Sequence, residues 1–416
     1  MELIKIVIYT SIYIGLIATS FFILSFLSNK RKKTILYNDN ELPFVSIMIP
    51  ALNEEESVAK TLDSILAINY PKNKFEIVFI DDGSSDNTLK IAKKYKKYGI
   101  RIFHKKNDPI GRKGSALNFA LKKVKGEIVV SMDADTFVAP DSLKKMVRYF
   151  KDPNVMCVSP GITIYQPRNL FQKIQYIEYL MGLFLRKAFA SLNAIHITPG
   201  AFSAYRKNFF DKYGGYELGN LTEDLEVALR IQYNHYIIQN APDAAVYTIA
   251  PDNFYDLFKQ RRRWYVGLMK NTWKYKKIFS PKYGDLGMFV FPIAWISIFF
   301  SVFVTIYLFF KTLIEARKEI LFLQSIDFDF PNLLSLNYYV FERWVFLFFS
   351  NPIIIFIFFF MIIIGVYLIY ASRKLGHISK WYFNLPLFFI FFALLFGFWW
   401  TLSVLYIIFN RGIKWR

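Results

Sequence analysis

Cysteine is almost missing from this sequence: Cys157 is the single one. That excludes an intramolecular disulfide and a cluster of metal-bound thiolates. Histidine is scarce too. His104, His196, His235 and His377 show no ligand spacing, and each reads as an ordinary core or surface residue. Acidic residues are in deficit, 32 Asp and Glu against 52 Lys and Arg, for a formal net charge of +20. A basic excess of that size suits nucleic acid, anionic lipid or a phosphorylated substrate.

Charge of either sign vanishes from four stretches, Ile6–Asn29, Leu286–Phe310, Trp344–Ser372 and Trp381–Asn410. Each exceeds the roughly 20 residues that cross a bilayer core. The first lacks a small-x-small cleavage pattern and reads as a retained helix, not a signal peptide. Lys30, Arg31, Lys32 and Lys33 come directly after it, which predicts a cytoplasmic location for residues 30–285. Loop 311–343, with four basic and five acidic residues, suits the outside. Arg373, Lys374 and Lys380 suit the inside. Four full crossings would leave Arg411, Lys414 and Arg416 outside, against the rule. A segment that stops short would remove the conflict, and Asn351-Pro352 and Asn384-Leu-Pro386 are places where a helix can break.

Abundance lies elsewhere. The chain is 54% hydrophobic, with 45 Phe and 27 Tyr, yet 20% charged, so apolar and polar parts must be segregated along it. Between residues 44 and 165 strand and helix patterns alternate. Strands are expected at Phe44–Ile49, Phe75–Ile80, Arg101–His104 and Glu127–Met132. Helices are expected at Glu54–Ile68, Asp86–Tyr98, Lys113–Val124 and Ser142–Phe150. That alternation implies a mostly parallel α/β sheet covered by helices. Ligands then bind beyond the carboxyl ends of the strands.

The residues just beyond each strand are therefore informative. Ala51 and Glu54 lie after the first, Asp81-Asp-Gly-Ser-Ser-Asp86 after the second, and Asp133-Ala-Asp135 after the strand at Glu127–Met132. Turn-forming would account for much of the second segment. It accounts less well for two carboxylates one residue apart, which suit Mg²⁺ or Mn²⁺ shared with substrate phosphates. Lys113, with Arg112 beside it, opens a helix whose N-terminus favours anions. Gly200 sits in a small-residue turn that allows close approach. Thr222 reads as an N-cap with Glu223 and Asp224 in the first helical turn. One of these two carboxylates is a candidate general base. Helix dipole and a nearby cation are both expected to lower its pKa.

The segment Gln260-Arg-Arg-Arg-Trp264 precedes the second apolar stretch. Gln260, Arg263 and Trp264 share a helix face, with Arg261 and Arg262 directed elsewhere. Arg263 suits a diphosphate and Trp264 a sugar ring. Arg261, Arg262, Lys270, Lys274, Lys276 and Lys277, with Trp273 and Tyr275, suit lipid head groups.

Asp81-Asp82, Lys113, Asp133-Ala-Asp135, Thr222-Glu-Asp224 and Gln260-x-x-Arg263-Trp264, in that order before membrane helices, resemble the membrane-bound family 2 glycosyltransferases of the processive type. Ile177 to Asp224 looks most like the poly-N-acetylglucosamine synthases among them. The resemblance covers roughly residues 44–275. It implies a GT-A fold, a nucleotide-sugar donor such as a UDP-hexose or UDP-N-acetylhexosamine, and inversion to a β-linkage. It implies that Ala51, Glu54, Asp81 and Asp82 hold the nucleoside, and that Lys113 and Asp133 meet the diphosphate. Asp135, beside Asp133, takes the metal, and Asp224 is the base. Gly200, Gln260, Arg263 and Trp264 form the acceptor and diphosphate end.

The expected organisation is a membrane helix at 1–29, a cytoplasmic catalytic domain at 30–250, interfacial helices at 251–285 and about three membrane helices at 286–416. The expected partners are a nucleotide sugar, membrane lipids and a growing polysaccharide, in the plasma membrane. A single transfer to a polyprenyl phosphate or other lipid is the alternative. A basic scaffold or nucleic-acid binder fits the charge but leaves Asp133, Asp135 and Asp224 without a role, so no nucleic acid is expected. Neither is a C-terminal cyclic-nucleotide module.

Overall fold

The computed structural model describes residues 2–28, 41–106, 108–325, 338–350, 352–374 and 383–409. The basic cluster at 30–33, His377, Lys380 and the terminal Arg411, Lys414 and Arg416 lie outside them, as does part of loop 311–343.

Eight strands form one mixed sheet in the order β3-β2-β1-β4-β7-β6-β8-β5. They are β1 (Val45–Ala51), β2 (Phe75–Asp81), β3 (Arg101–His104), β4 (Ile128–Ser131), β5 (Thr136–Val138), β6 (Val155–Ile164), β7 (Ser203–Arg206) and β8 (Ile237–Thr248). The first four pair in parallel, as the alternation predicts. Beyond them β7 runs antiparallel to both β4 and β6.

The strands are buried on both faces because both are covered. Along β1, Val45, Ile47, Ile49 and Ala51 point to one layer with α2 (Val58–Leu66) and α5 (Ser142–Val147). Met48 points to the other, with α4 (Arg112–Leu121), α7 (Lys207–Tyr213) and α8 (Glu223–Tyr233). The two-residue side-chain period of a strand produces this division. Helix α3 (Thr88–Lys93) is shorter than the pattern suggests, since its last turn tightens to a 3₁₀ turn through Tyr98.

The remaining helices are α1 (Glu2–Ser28), α6 (Leu170–Ser191), α9 (Phe254–Lys274), α10 (Phe291–Ser325), α11 (Tyr338–Ser350), α12 (Pro352–Lys374) and α13 (Leu385–Ile408). Among the described residues three helical segments are long and apolar enough to cross a membrane: Ile6–Leu27, Leu286–Ser325 and Leu385–Ile408. Within the stretch Trp344–Ser372, α11 runs to Ser350 and α12 from Pro352, and the expected break at Asn351-Pro352 falls on a residue outside those described. At the other candidate break, Asn384 and Pro386 begin α13 instead of interrupting it. These helices expose large side chains such as Phe299, Phe309, Phe358 and Leu394. Contiguous apolar surface of this kind suits lipid. Helix α13 packs on α6, α9 and α10, so the apolar helices are joined to the sheet through α6 and α9.

Candidate active site

The strand directions place the site. Ala51 and Asp81 end neighbouring strands and lie opposite each other in register. Asp133 comes after β4, next to β1 on its other side. Because β7 is antiparallel to β4, with Ser131 opposite Ser203, the loop entering β7 lies at the edge where β4 ends. That loop carries Gly200. Phe202 in the same turn takes a left-handed φ of +66°, costly for a bulky residue and a form of strain found at functional sites.

Four charged residues converge here. Lys113 Nζ lies 2.6 Å from Asp133 Oδ1 and 3.0 Å from Glu223 Oε1. A Cβ built on Gly200 would lie 2.7 Å from Lys113 Nζ, 3.2 Å from Asp224 Oδ2 and 3.6 Å from Asp133 Oδ2. Only glycine leaves that space open. Lys113, Asp133, Gly200, Glu223 and Asp224, distant in sequence, therefore form one cluster. Burial alone would lower the Lys113 pKa, but the carboxylates of Asp133, Glu223 and Asp224 outweigh it and hold the ammonium charged.

Asp224 corrects one expectation. Its pKa is not lowered but raised to about 6. Burial is the main cause and the Glu223 carboxylate adds to it; Lys113 opposes them without prevailing. Asp135 is pushed further, to about 7, by burial and then by the carboxylates of Asp133 and Glu54. Crowded carboxylates of this kind fit a divalent cation, whose charge would remove the repulsion. Among the described residues no three His, Cys, Asp or Glu side chains form a complete metal cage. The donor set thus suits an ion that takes one or two carboxylates and completes its shell with phosphate oxygens and water, as Mg²⁺ and Mn²⁺ do.

The nucleoside-side candidates sit at the ends of β1 and β2. Asp81 is fully buried and held by His104 Nδ1 at 2.7 Å. Asp82 accepts from Lys105 Nζ at 2.9 Å; burial raises its pKa despite that lysine. Glu54 accepts from the Ser57 hydroxyl and lies near enough to Asp135 to affect its ionisation. His104 and Lys105 are residues that sequence reasoning missed. The signal exists, since one ends β3 and the other comes just after it, at the same sheet edge as the other strand ends.

Helix α9 carries Gln260, Arg263 and Trp264 as expected, but its arginines differ from expectation. Arg261 is fully buried, paired with Glu178 on α6 at 2.6 Å and stacked 4.3 Å from the Trp264 ring centre. Arg262 donates to the Tyr406 hydroxyl on α13 at 2.7 Å. Both arginines are thus turned to protein partners, a carboxylate for Arg261 and a hydroxyl for Arg262, and not to lipid head groups. Lys274 likewise pairs with Glu217 and Glu226. Trp273, 74% exposed beneath Lys276, keeps the character of an interfacial side chain. Gln260 and Trp264 are joined to the Asp224 segment through α9 itself, whose Gly267 packs on Thr222.

Thr222 also differs from the expected cap. It occupies the N-cap position of α8, yet its hydroxyl makes no capping bond. The hydroxyl instead lies 3.0 Å from Asn271 Nδ2 on α9.

Residues 46–214 match the model of Glycosyl transferase family 2. Poly-beta-1,6-N-acetyl-D-glucosamine synthase of Staphylococcus aureus is 32% identical over 233 residues, 55% of this chain and 56% of its own length. The protein of the same name from Staphylococcus epidermidis is 33% identical over 235 residues, with the same coverage. The chain spans about half the length of the curated relatives it matches. A mannosyltransferase of Pyrobaculum calidifontis, solved with GDP-Man and Mn²⁺, superposes with a TM-score of 0.52 at 24% identity over 65% of this chain and 76% of that one. That likeness concerns the fold.

Proposed function

We propose that this chain, whose residues 46–214 form a family 2 glycosyltransferase domain of GT-A type, moves a sugar from a nucleotide-sugar donor to a growing β-linked polysaccharide at the membrane. The donor is a UDP-hexose or UDP-N-acetylhexosamine, the latter favoured by the names of the relatives at 32% and 33% identity. The catalytic domain faces the cytoplasm, where nucleotide sugars are made.

The acceptor oxygen attacks the anomeric carbon, the bond from that carbon to the diphosphate breaks, and the nucleoside diphosphate leaves with the electron pair. Attack opposite the leaving group inverts the centre. Asp224 takes the proton of the attacking hydroxyl. With a pKa of about 6 it is largely ionised near neutrality, yet basic enough to share that proton as the bond forms. Lys113 meets the charge developing on the diphosphate. Asp135, with Asp133, would hold Mg²⁺ or Mn²⁺, which supplies further neutralisation of the leaving group. Asp81 and Asp82 hold the nucleoside beside Ala51 and Glu54. Gln260, Arg263 and Trp264 border the acceptor end.

One observation supports a polymer. Helices α6, α9 and α13, the last packed on the other two, carry several of the buried polar atoms that lack a partner among the described residues: Arg186 Nε and Nη2, Gln260 Oε1, Arg261 Nε and Nη1, Arg262 Nε, and the indole nitrogens of Trp399 and Trp400. Each such atom costs about 1–3 kcal/mol if left unpaired. A chain of sugar rings brings hydroxyls to donors and acceptors alike, and apolar ring faces to aromatics such as the stacked Tyr265 and Trp400.

The test is nucleoside-diphosphate release by protein in lipid with Mg²⁺ or Mn²⁺ across UDP- and GDP-sugars. Turnover of one UDP-sugar is expected. No release from any donor would contradict the proposal. A second result bears on the donor end. His104→Leu removes the bond that orients Asp81, so nucleotide affinity falls about tenfold or more, as for a hydrogen bond to a charged group. The rate at saturating donor stays unchanged. Titration calorimetry with UDP checks the first part, and steady-state kinetics the second.

A further inference from the structure

The segment that carries the base is read by one face of α9. Gly267, Asn271 and Lys274 stand at i, i+4 and i+7, a single helical face. Gly267 packs so closely on Thr222 that an added Cβ would run into its hydroxyl. Asn271 is 2% exposed. Its Nδ2 lies 3.0 Å from Thr222 Oγ1 and 3.1 Å from Asn220 Oδ1, while its Oδ1 accepts from Asn220 Nδ2 at 2.8 Å. Asn220 Oδ1 in turn accepts from the Thr222 backbone N–H at 3.0 Å. Lys274 reaches Glu217 at 3.0 Å and Glu226 at 3.3 Å, and Tyr275 donates to Glu226 at 2.5 Å.

These contacts bracket Asp224. The threonine two positions before it has exchanged a local cap for a bond to α9, although capping commonly contributes about 1 kcal/mol to a helix. From the other side, Thr198 donates to the Asp224 carbonyl at 3.1 Å. The middle of α9, in the two turns before Gly267, carries Gln260, Arg263 and Trp264, seated by the Arg261–Glu178 pair.

We propose that Asn271 is a positioning residue that locks Asp224, the base in the first turn of α8, in register with the acceptor residues of α9. This rests on the transferase reading above. Helix α9 is one rigid rod, so the acceptor's seat and the base stay at a fixed separation only while Asn271 and Gly267 hold Thr222. The lock governs sugar transfer to the acceptor. Water needs no such register, so donor hydrolysis does not depend on it.

The test uses the full chain in lipid. Asn271→Leu keeps a side chain of similar size that can neither donate to Thr222 nor accept from Asn220; Gly267→Ala pushes α9 away from the same threonine. Both are compared with the unaltered protein for transfer to acceptor, hydrolysis of donor to free sugar, and UDP affinity. The ratio of transfer to hydrolysis should fall tenfold or more in each variant, with UDP affinity within twofold. Amide hydrogen exchange should also rise over residues 220–226 in Asn271→Leu, with the strands β1, β2 and β4 unchanged. Transfer and hydrolysis falling together, or unchanged exchange over 220–226, would overturn the proposal. If the unaltered protein turns over no nucleotide sugar, the transferase reading fails by itself, and the exchange result alone then decides whether Asn271 holds this segment.

Discussion

Asp224→Asn lowers sugar transfer by a factor of about 10²–10⁴, the range that a positioned base contributes. Nucleotide affinity changes far less than transfer, because Asp81 and Asp82, which hold the nucleoside, are anchored by His104 and Lys105 and not by Asp224. The unaltered enzyme loses activity as pH falls through about 6, where Asp224 takes up a proton. Below that value the rate drops about tenfold per pH unit, as for one titrating base. Stability moves the opposite way. The folded pKa lies above the unfolded value, so the fold favours the protonated carboxyl. The stability associated with that proton is fully present below the unfolded pKa and is lost as pH rises through about 6. Asp224→Asn keeps a neutral group at every pH, so it should melt at or above the temperature of the unaltered protein at a pH about 1.5 above that pKa. A variant that is inactive and no less stable separates the base from a structural carboxylate. Rate–pH profiles and thermal melts at two pH values check both parts.

Asp135→Asn is expected to have a comparable effect through a different cause. Its carboxyl is pushed to about 7 by burial and by Asp133 and Glu54. A bound divalent ion would displace the proton and relieve that repulsion. Removing the carboxylate forfeits several kcal/mol of charge stabilisation, about 10³-fold in rate. Mn²⁺ binding in the presence of UDP, monitored by electron paramagnetic resonance, should weaken in the variant. In the unaltered protein it should weaken as pH falls below about 7. Turnover at an unchanged rate in a chelator would contradict the metal's part in the site.

Much of the site is legible in the linear chain for a definable reason. Short continuous apolar runs alternating with helices of period 3.6 imply that β1, β2 and β4 pair in parallel, and the rule about strand ends then selects Asp81, Asp133 and Asp135. His104 obeys the same rule, but ligand spacing alone, the usual guide for histidine, passes over it. The sign of the Asp224 shift escapes the sequence because a helix N-terminus and a lysine are local features. The burial and the Glu223 carboxylate that outweigh them depend on the assembled site. For the arginines of 261–263, a helical face says which residues share a side but not what that side meets. Arg261 meets Glu178, 83 residues away in the chain. Asn271 bears no motif at all. Its importance comes from the Thr222 hydroxyl, which any sequence rule would assign to capping α8.

The central claim is that the chain builds a polymer, and product size tests it most directly. Purified protein in lipid, supplied with its donor and Mg²⁺ or Mn²⁺, should convert that donor into high-molecular-weight material that a β-specific glycosidase degrades. Turnover that requires an added lipid acceptor and ends with a product one sugar larger would contradict it, and would make the enzyme a lipid glycosyltransferase instead.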